Sequence, residues 1–312
     1  MSKFNKDILI IGFGAQAKAW ALNLRDSGRE VVIALRKESK SIQIAKSMNF
    51  ATLLLKSDEI SNFENLLLLA PDDQHAPILA SITSYLSEDQ NLFYAHGFSV
   101  TYENLNELYP QQNHILLAPK AIASEVRYAY ETKSPLVAVT SEEYSNDSGK
   151  ESLKKIIKDL GITVGPVVSS FKEETNADLF SEQSILCSLI PYGAKHSFEK
   201  LVEKGISPEI AYIECWHEVK LIADAMLKFG PLEFFKLISP NALMGGIKAK
   251  DKIFDANLLK TYESLWQDIE SGKFFHATKE CDFQKLQSEV LKEWNNHPLT
   301  EQFQEIGSKL KR

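Results

Sequence analysis

The stretch DILIIGFGAQAKAWALNLRD, residues 7–26, decides the fold. Residues 7–11 are a short β-type run, and residues 15–26 carry apolar positions at helical spacing. Between them lies GFGAQA; strand, glycine turn and helix in that order make a dinucleotide-binding unit. Gly12 and Gly14 suit the tight turn and the close approach of a pyrophosphate, while Ala17 stands where a third glycine would let helix pack on strand. Gly12, Phe13, Gly14, Ala15 and Gln16 are therefore the expected cofactor-binding turn.

A second β-type run, residues 30–35, follows on schedule. Where an NAD enzyme would end this strand with Asp or Glu for the ribose hydroxyls, this chain has Arg36 and Lys37, then Ser39, Lys40 and Ser41. Cations and hydroxyls converging where a 2′-phosphate would lie favour NADP over the alternative, a solvated basic loop. Compact apolar runs at 66–70, 92–96, 115–119 and 136–140 predict further buried strands of a doubly wound parallel sheet. His96 and Lys120 fall just past the carboxyl ends of their strands, where open α/β sheets place ligands, although a structural role fits either residue alone. Residues 161–170, with Gly165 and Pro166, read as a last strand and a hinge, dividing the chain into domains at 1–168 and 169–312. Helical patterns dominate after the hinge, and SNDSGKES at 145–152 reads as a polar turn capping a helix.

Two of those later helices carry acids among their apolar positions. In PEIAYIECWHEVKLIADAMLK, residues 208–228, Glu214 and Glu218 fill a gap in the stripe of Ile210, Ile213, Leu221, Ala225 and Met226, so both carboxylates are expected to point inward. Burying unpaired carboxylates costs several kcal/mol, and like charges four apart add roughly 0.2 to 0.5 kcal/mol, so a cation is needed. Lys220 could supply it on a solvated helix; a divalent metal is the other reading. KEETNADLFSEQSILCSLI, residues 172–190, repeats the pattern with Asp178 and Glu182. Two inward carboxylate pairs without His or Cys at ligand spacing favour a hard ion, Mg²⁺ or Mn²⁺. Glu173 and Glu174 are expected in the first turn, serving the helix dipole rather than the site.

A length of 312 residues with 44% hydrophobic content suffices for two domains, and a formal charge of −7 argues against a nucleic-acid surface. The longest apolar run is too short to span a bilayer, and the first seven residues lack a signal-peptide core. Three cysteines, an odd count without metal spacing, fit the cytosol, and Cys187 and Cys215 are expected to be small buried thiols.

The series GFGAQA with ALNLRDSG, LRKESKS, AHGF, APK, KEETNADLFSEQSILC, PEIAYIECWHEVKLI and ESGKF closely resembles the ketol-acid reductoisomerases of branched-chain amino-acid biosynthesis, across most of the chain. The resemblance implies the short form of that family: a Rossmann domain followed by a knotted all-helical domain, in a homodimer whose chains share each active site. It implies that Asp178, Glu182, Glu214 and Glu218 bind two Mg²⁺ ions, with Asp178 bridging. Ser239, in LISPNA, would contact the substrate carboxylate, His96 and Lys120 match active-site positions, and Arg36, Ser39 and Ser41 match the loop that grips the NADPH phosphate. Glu218 is a candidate base. The implied reaction is alkyl migration in 2-acetolactate followed by reduction with NADPH. Where the family has Gly-Pro-Gly after Ala-Pro-Lys, this chain has Ala121, Ile122, Ala123 and Ser124; Ser188, Leu189 and Ile190 replace small residues after the cysteine, and Pro240 and Asn241 follow Ser239. Added side-chain volume there implies a reshaped pocket and admits a related 2-hydroxy-3-keto acid. Two further readings are a 2-keto acid reductase that uses NADPH without isomerisation, and a nucleotide-binding oligomer without turnover.

Overall fold

The computed structural model describes residues 4–310. Its first compact unit, Met1–Ala177, is built among its described residues on eight strands. These are β1 (Lys6–Ile11), β2 (Val31–Leu35), β3 (Ala51–Leu54), β4 (Phe63–Leu68), β5 (Asn91–Tyr94), β6 (Asn113–Pro119), β7 (Val137–Tyr144) and β8 (Val164–Val168), in the order β3-β2-β1-β4-β5-β6-β7-β8. The chain direction reverses once, because β7 runs antiparallel to β6, with β8 parallel to β7. The sheet is therefore mostly parallel, where the sequence predicts a wholly parallel one. β3, with the sequence ATLL, lies on the edge and was not among the expected strands.

Side chains alternate across the sheet, so each central strand feeds two cores. Ile8 and Ile10 pack with Trp20 and Leu24 of the Ala15–Asp26 helix on one face, and Leu9 and Ile11 pack with Leu79 and Ile82 on the other. This explains the unbroken apolar run of β1: both faces are covered. At the end of the sheet where β4, β5 and β6 begin, Asn65, Asn91 and Asn113 stand opposite one another in register. Each amide donates to the next, from Asn113 to Asn91 at 2.8 Å, to Asn65 at 2.9 Å, and on to the Asp7 carboxylate at 3.0 Å. Buried polar groups there are satisfied side by side.

His114, next on β6, is buried between Tyr94 and Tyr109. Its Nε2–H donates to the Tyr109 carbonyl at 3.0 Å, leaving Nδ1 to accept from the Tyr94 hydroxyl, also at 3.0 Å. Burial holds the ring neutral and pushes its pKa from 6.5 down to about 4. The unfolded chain therefore takes up a proton that the folded chain refuses as pH falls through that window. Stability from this group is fully present above 6.5 and is lost on the way down to about 4, roughly 3 kcal/mol in all. Urea unfolding measured across this range is expected to show that slope, and His114→Phe to remove most of it; an unchanged slope in the variant would assign the acid sensitivity elsewhere.

The second unit, Asp178–Arg312, is helical among its described residues, and no described helix is long and apolar enough to cross a membrane. Its small core gathers Phe198, Ala211, Tyr212 and Leu299. The helices Glu218–Leu237 and Pro240–Ile253 contribute no buried residue, and Leu227 and Leu232 are 86% and 70% exposed. Residues 208–228, expected as one helix, are instead the Pro208–Tyr212 helix, a π-helical turn at Ile213–His217, and a helix from Glu218 that runs on through a kink at Gly230 and Pro231.

Candidate active site

The strand order reverses between β1 and β4, whose neighbours lead outward in opposite chain order, and ligands of open α/β sheets bind at the carboxyl ends of such a switch point. Gly12 sits there in the left-handed region, at φ +99°, and a Cβ on it would lie 2.8 Å from the Ala70 backbone nitrogen in the loop after β4. Only glycine fits both the turn and this approach. Gly14 is open on its outer side and precedes the Ala15–Asp26 helix with no side chain capping the first turn, so that turn's N–H groups suit an anionic pyrophosphate. Ala15 is exposed, Gln16 is half-buried, and Phe13 is buried edge-on against Phe50, so Phe13 can offer a cofactor only its backbone. After β2, Arg36, Lys37 and Lys40 are exposed, the Arg36 carbonyl accepts from Ser39 N–H at 3.0 Å, and Ser39 Oγ accepts from Ser41 N–H at 3.3 Å. This turn fits a dinucleotide carrying a 2′-phosphate.

His96 and Lys120 follow β5 and β6 at the same end of the sheet. The ring of His96 stacks near Phe98, and its Nδ1 lies 3.8 Å from the Asp72 carboxylate in the loop after β4. The second oxygen of Asp72 is 3.8 Å from Nδ1 of the buried His75. Burial opposes the charge on Asp72, but His96 and then His75 outweigh it and hold the carboxyl below its ordinary pKa. His75 itself is kept neutral by burial, accepting from Ser99 and donating to the Ala70 carbonyl, which pins the loop beside Gly12.

Glu174, set aside in the sequence as a helix-dipole residue, is the buried centre of this arrangement. One carboxylate oxygen accepts from Lys120 Nζ at 2.6 Å, the other accepts from the Gly97 N–H at 3.2 Å, and an oxygen lies within 4.8 Å of a His96 ring nitrogen. A buried carboxylate demands such partners. Glu174 thus fixes the lysine and the backbone beside the histidine together. Gly97 is obligatory, since a Cβ there would lie 2.8 Å from the Phe171 carbonyl. The sequence did carry a signal for Glu174: it precedes Asp178 by four residues, as Asp178 precedes Glu182, so the acidic series extends one step further back.

The expectation of inward acids in the second unit fails within a single chain. Glu182, Glu214 and Glu218 are exposed and Asp178 is half-buried, while Ile210, Ile213, Leu221 and Met226 on the same stripe are also exposed. Helical spacing shows that residues share a face; it does not supply what covers that face. Lys220 pairs with Asp224 rather than with either glutamate. Among the described residues, no three of Asp178, Glu182, Glu214 and Glu218 gather at metal-ligand spacing in one chain. Each pair does adjoin a π-helical turn, Glu182–Leu186 and Ile213–His217, and such turns concentrate at functional sites. The donors are all carboxylate oxygens, which suits a hard divalent ion. Cys187 is exposed rather than buried, and its thiol pKa is raised by desolvation and then by Glu182 and Asp178, so it stays protonated. Ser239 is exposed and caps the Pro240–Ile253 helix, its Oγ accepting from Ala242 N–H at 3.3 Å.

Comparison with known proteins bears directly on this geometry. Residues 4–165 match the family described as acetohydroxy acid isomeroreductase, NADPH-binding domain, and residues 171–312 match ketol-acid reductoisomerase, C-terminal domain. Proteins named ketol-acid reductoisomerase (NADP(+)) from Saccharolobus islandicus and Saccharolobus solfataricus are each 35% identical over 274 residues, covering 86% of this chain and 81% of theirs. A solved NADH-preferring ketol-acid reductoisomerase from an uncultured archaeon superposes with a TM-score of 0.86 at 28% identity, covering 97% of this chain and 94% of that one. With both units matched and the identity sustained over most of its length, the chain belongs to the ketol-acid reductoisomerase family.

Proposed function

We propose that this protein is an NADPH- and Mg²⁺-dependent ketol-acid reductoisomerase that converts 2-acetolactate, or a related 2-hydroxy-3-keto acid, into a 2,3-dihydroxy acid. The observation that carries the reading is the convergence of the glycine turn, His96 and the Lys120–Glu174 pair at one end of the sheet, in a chain of this family. When bound, NADPH would supply the hydride and two Mg²⁺ ions would polarise the ketone and hydroxyl of the substrate. The protein's part is positional and electrostatic. First-turn N–H groups hold the pyrophosphate, and Glu174 keeps the Lys120 ammonium at a fixed place where it can hold or pass a proton at Nζ. Asp178, Glu182, Glu214 and Glu218 would hold the ions, with Glu218 also a candidate base and Ser239 a contact for the substrate carboxylate.

A homodimer with shared sites is supported by the exposed apolar face of the second unit, including Leu221, Ile222, Met226, Leu227 and Leu232. It would also account for carboxylate pairs that do not meet within one chain. The decisive assay incubates protein, NADPH and Mg²⁺ with racemic 2-acetolactate, and separately with 3-hydroxypyruvate and 2-ketopantoate. Oxidation of NADPH is expected with 2-acetolactate; oxidation with the simple keto acids alone would mean a reductase without isomerisation.

The cofactor is proposed to be NADPH although the archaeal structure is of an NADH-preferring enzyme, because Arg36, Ser39 and Ser41 stand together after β2. Arg36→Asp is expected to weaken NADPH by roughly 1.5 to 3 kcal/mol, one charge-assisted contact, with little change for NADH. Fluorescence titration checks this, and equal affinities of the unmodified protein for both cofactors would overturn the assignment.

A further inference from the structure

We propose that Gln16 is a positioning residue that couples the bound dinucleotide to the Lys120 loop, an inference that rests on the cofactor reading above. Gln16 lies in the first turn of the Ala15–Asp26 helix, directly after the glycine turn. Its side-chain Nε2–H donates to the Ala121 carbonyl at 3.0 Å, joining segments 105 residues apart in sequence. Ala121 is flanked by the two residues of that loop that face outward with the most to offer chemically. On one side is Lys120, whose backbone N–H donates to Val137 at 3.0 Å and whose ammonium is held by Glu174. On the other is Ile122, 71% exposed in extended backbone just ahead of the Ala123–Thr132 helix.

The second observation concerns the other end of the same amide. Gln16 Oε1 is buried and, among the described residues, has no hydrogen-bond partner. A carbonyl oxygen with two lone pairs, removed from water and unmatched, is the kind of group that a ligand's donor completes. The dinucleotide turn is where Gln16 begins, and a nicotinamide dinucleotide carries ribose hydroxyls and a carboxamide N–H₂ as donors. One amide would therefore meet the cofactor's donors with its oxygen while its nitrogen holds the Lys120 loop. Hydrogen bonds in such a chain polarise and strengthen one another, so filling the oxygen tightens the grip on Ala121. Cofactor binding would thus settle Lys120 and the apolar Ile122 into their working positions before substrate arrives.

The test is hydrogen–deuterium exchange of the peptide spanning residues 119–126, with and without saturating NADPH, in the unmodified protein, in Gln16→Met and in Gln16→Glu. Both variants keep the side chain's length and lose the donor to Ala121. In the unmodified protein NADPH is expected to slow exchange in this peptide about tenfold, the effect of firming one ordinary hydrogen bond. In the variants NADPH should still bind, weakened by no more than about tenfold, while the NADPH-dependent slowing disappears. With cofactor saturating, kcat should fall by about tenfold or more and the substrate KM should change less. A merely structural glutamine would raise exchange equally with and without NADPH. That outcome, or full NADPH-dependent slowing in both variants, overturns the proposal; failure of the unmodified protein to bind NADPH overturns the cofactor reading itself, and the proposal with it.

Discussion

Asp178→Asn is expected to abolish turnover, by about a thousandfold or more, while NADPH affinity stays within about twofold of the unmodified protein. The substitution removes one formal charge and keeps the shape. If Asp178 holds both Mg²⁺ ions, that single charge supports two sites at once, and the reaction loses its means of polarising the substrate. The dinucleotide turn belongs to the other compact unit, so cofactor binding has no reason to follow. Asp178 is half-buried, and the amide keeps the shape of the carboxylate it replaces. Activity, NADPH titration and melting temperature together therefore separate the roles. A carboxylate with only structural work would give an active protein of lower melting temperature, and full activity in a folded Asp178→Asn protein would remove it from the metal site. Mg²⁺ binding followed by calorimetry supplies a readout independent of turnover.

The second large effect concerns assembly. Mixing inactive Asp178→Asn subunits with inactive Glu218→Gln subunits is expected to restore roughly a quarter of the unmutated activity. In an isologous dimer with shared sites, a mixed pair carries both lesions in one site and neither in the other. Free exchange makes about half the dimers mixed, and each has one intact site of two. The exposure of Glu182, Glu214 and Glu218 within one chain, beside an uncovered apolar face, is the reason to expect this geometry. If all four carboxylates serve one chain, every site keeps a lesion. Mixed dimers identified by native mass spectrometry that remain inactive would exclude the shared site.

What the sequence by itself determined is local. β1 and the Ala15–Asp26 helix stand where residues 7–26 predict them, because a doubly covered strand, a glycine at φ +99° and an apolar helical repeat are demands met within a few residues. The placement of His96 and Lys120 just beyond β5 and β6 was legible for the same reason. The edge strand β3 was not read as a strand: its four residues lie on the sheet edge, Ala51 and Leu54 exposed and Thr52 and Leu53 half-buried, so the run lacks the double covering that marks the central strands. Nor was the reversal of β7 legible, because strand direction depends on how the chain returns to the sheet rather than on the strand's own residues. Tertiary structure decided that Glu174 is a buried partner: its lysine lies 54 residues away, and the four-residue step from Glu174 to Asp178 marks a shared face without saying what covers it. It also decided that the acidic stripe of residues 208–228 faces outward in the chain. Periodicity selects a face, but burial is a property of whatever packs against that face, and a helix carries no record of its partner.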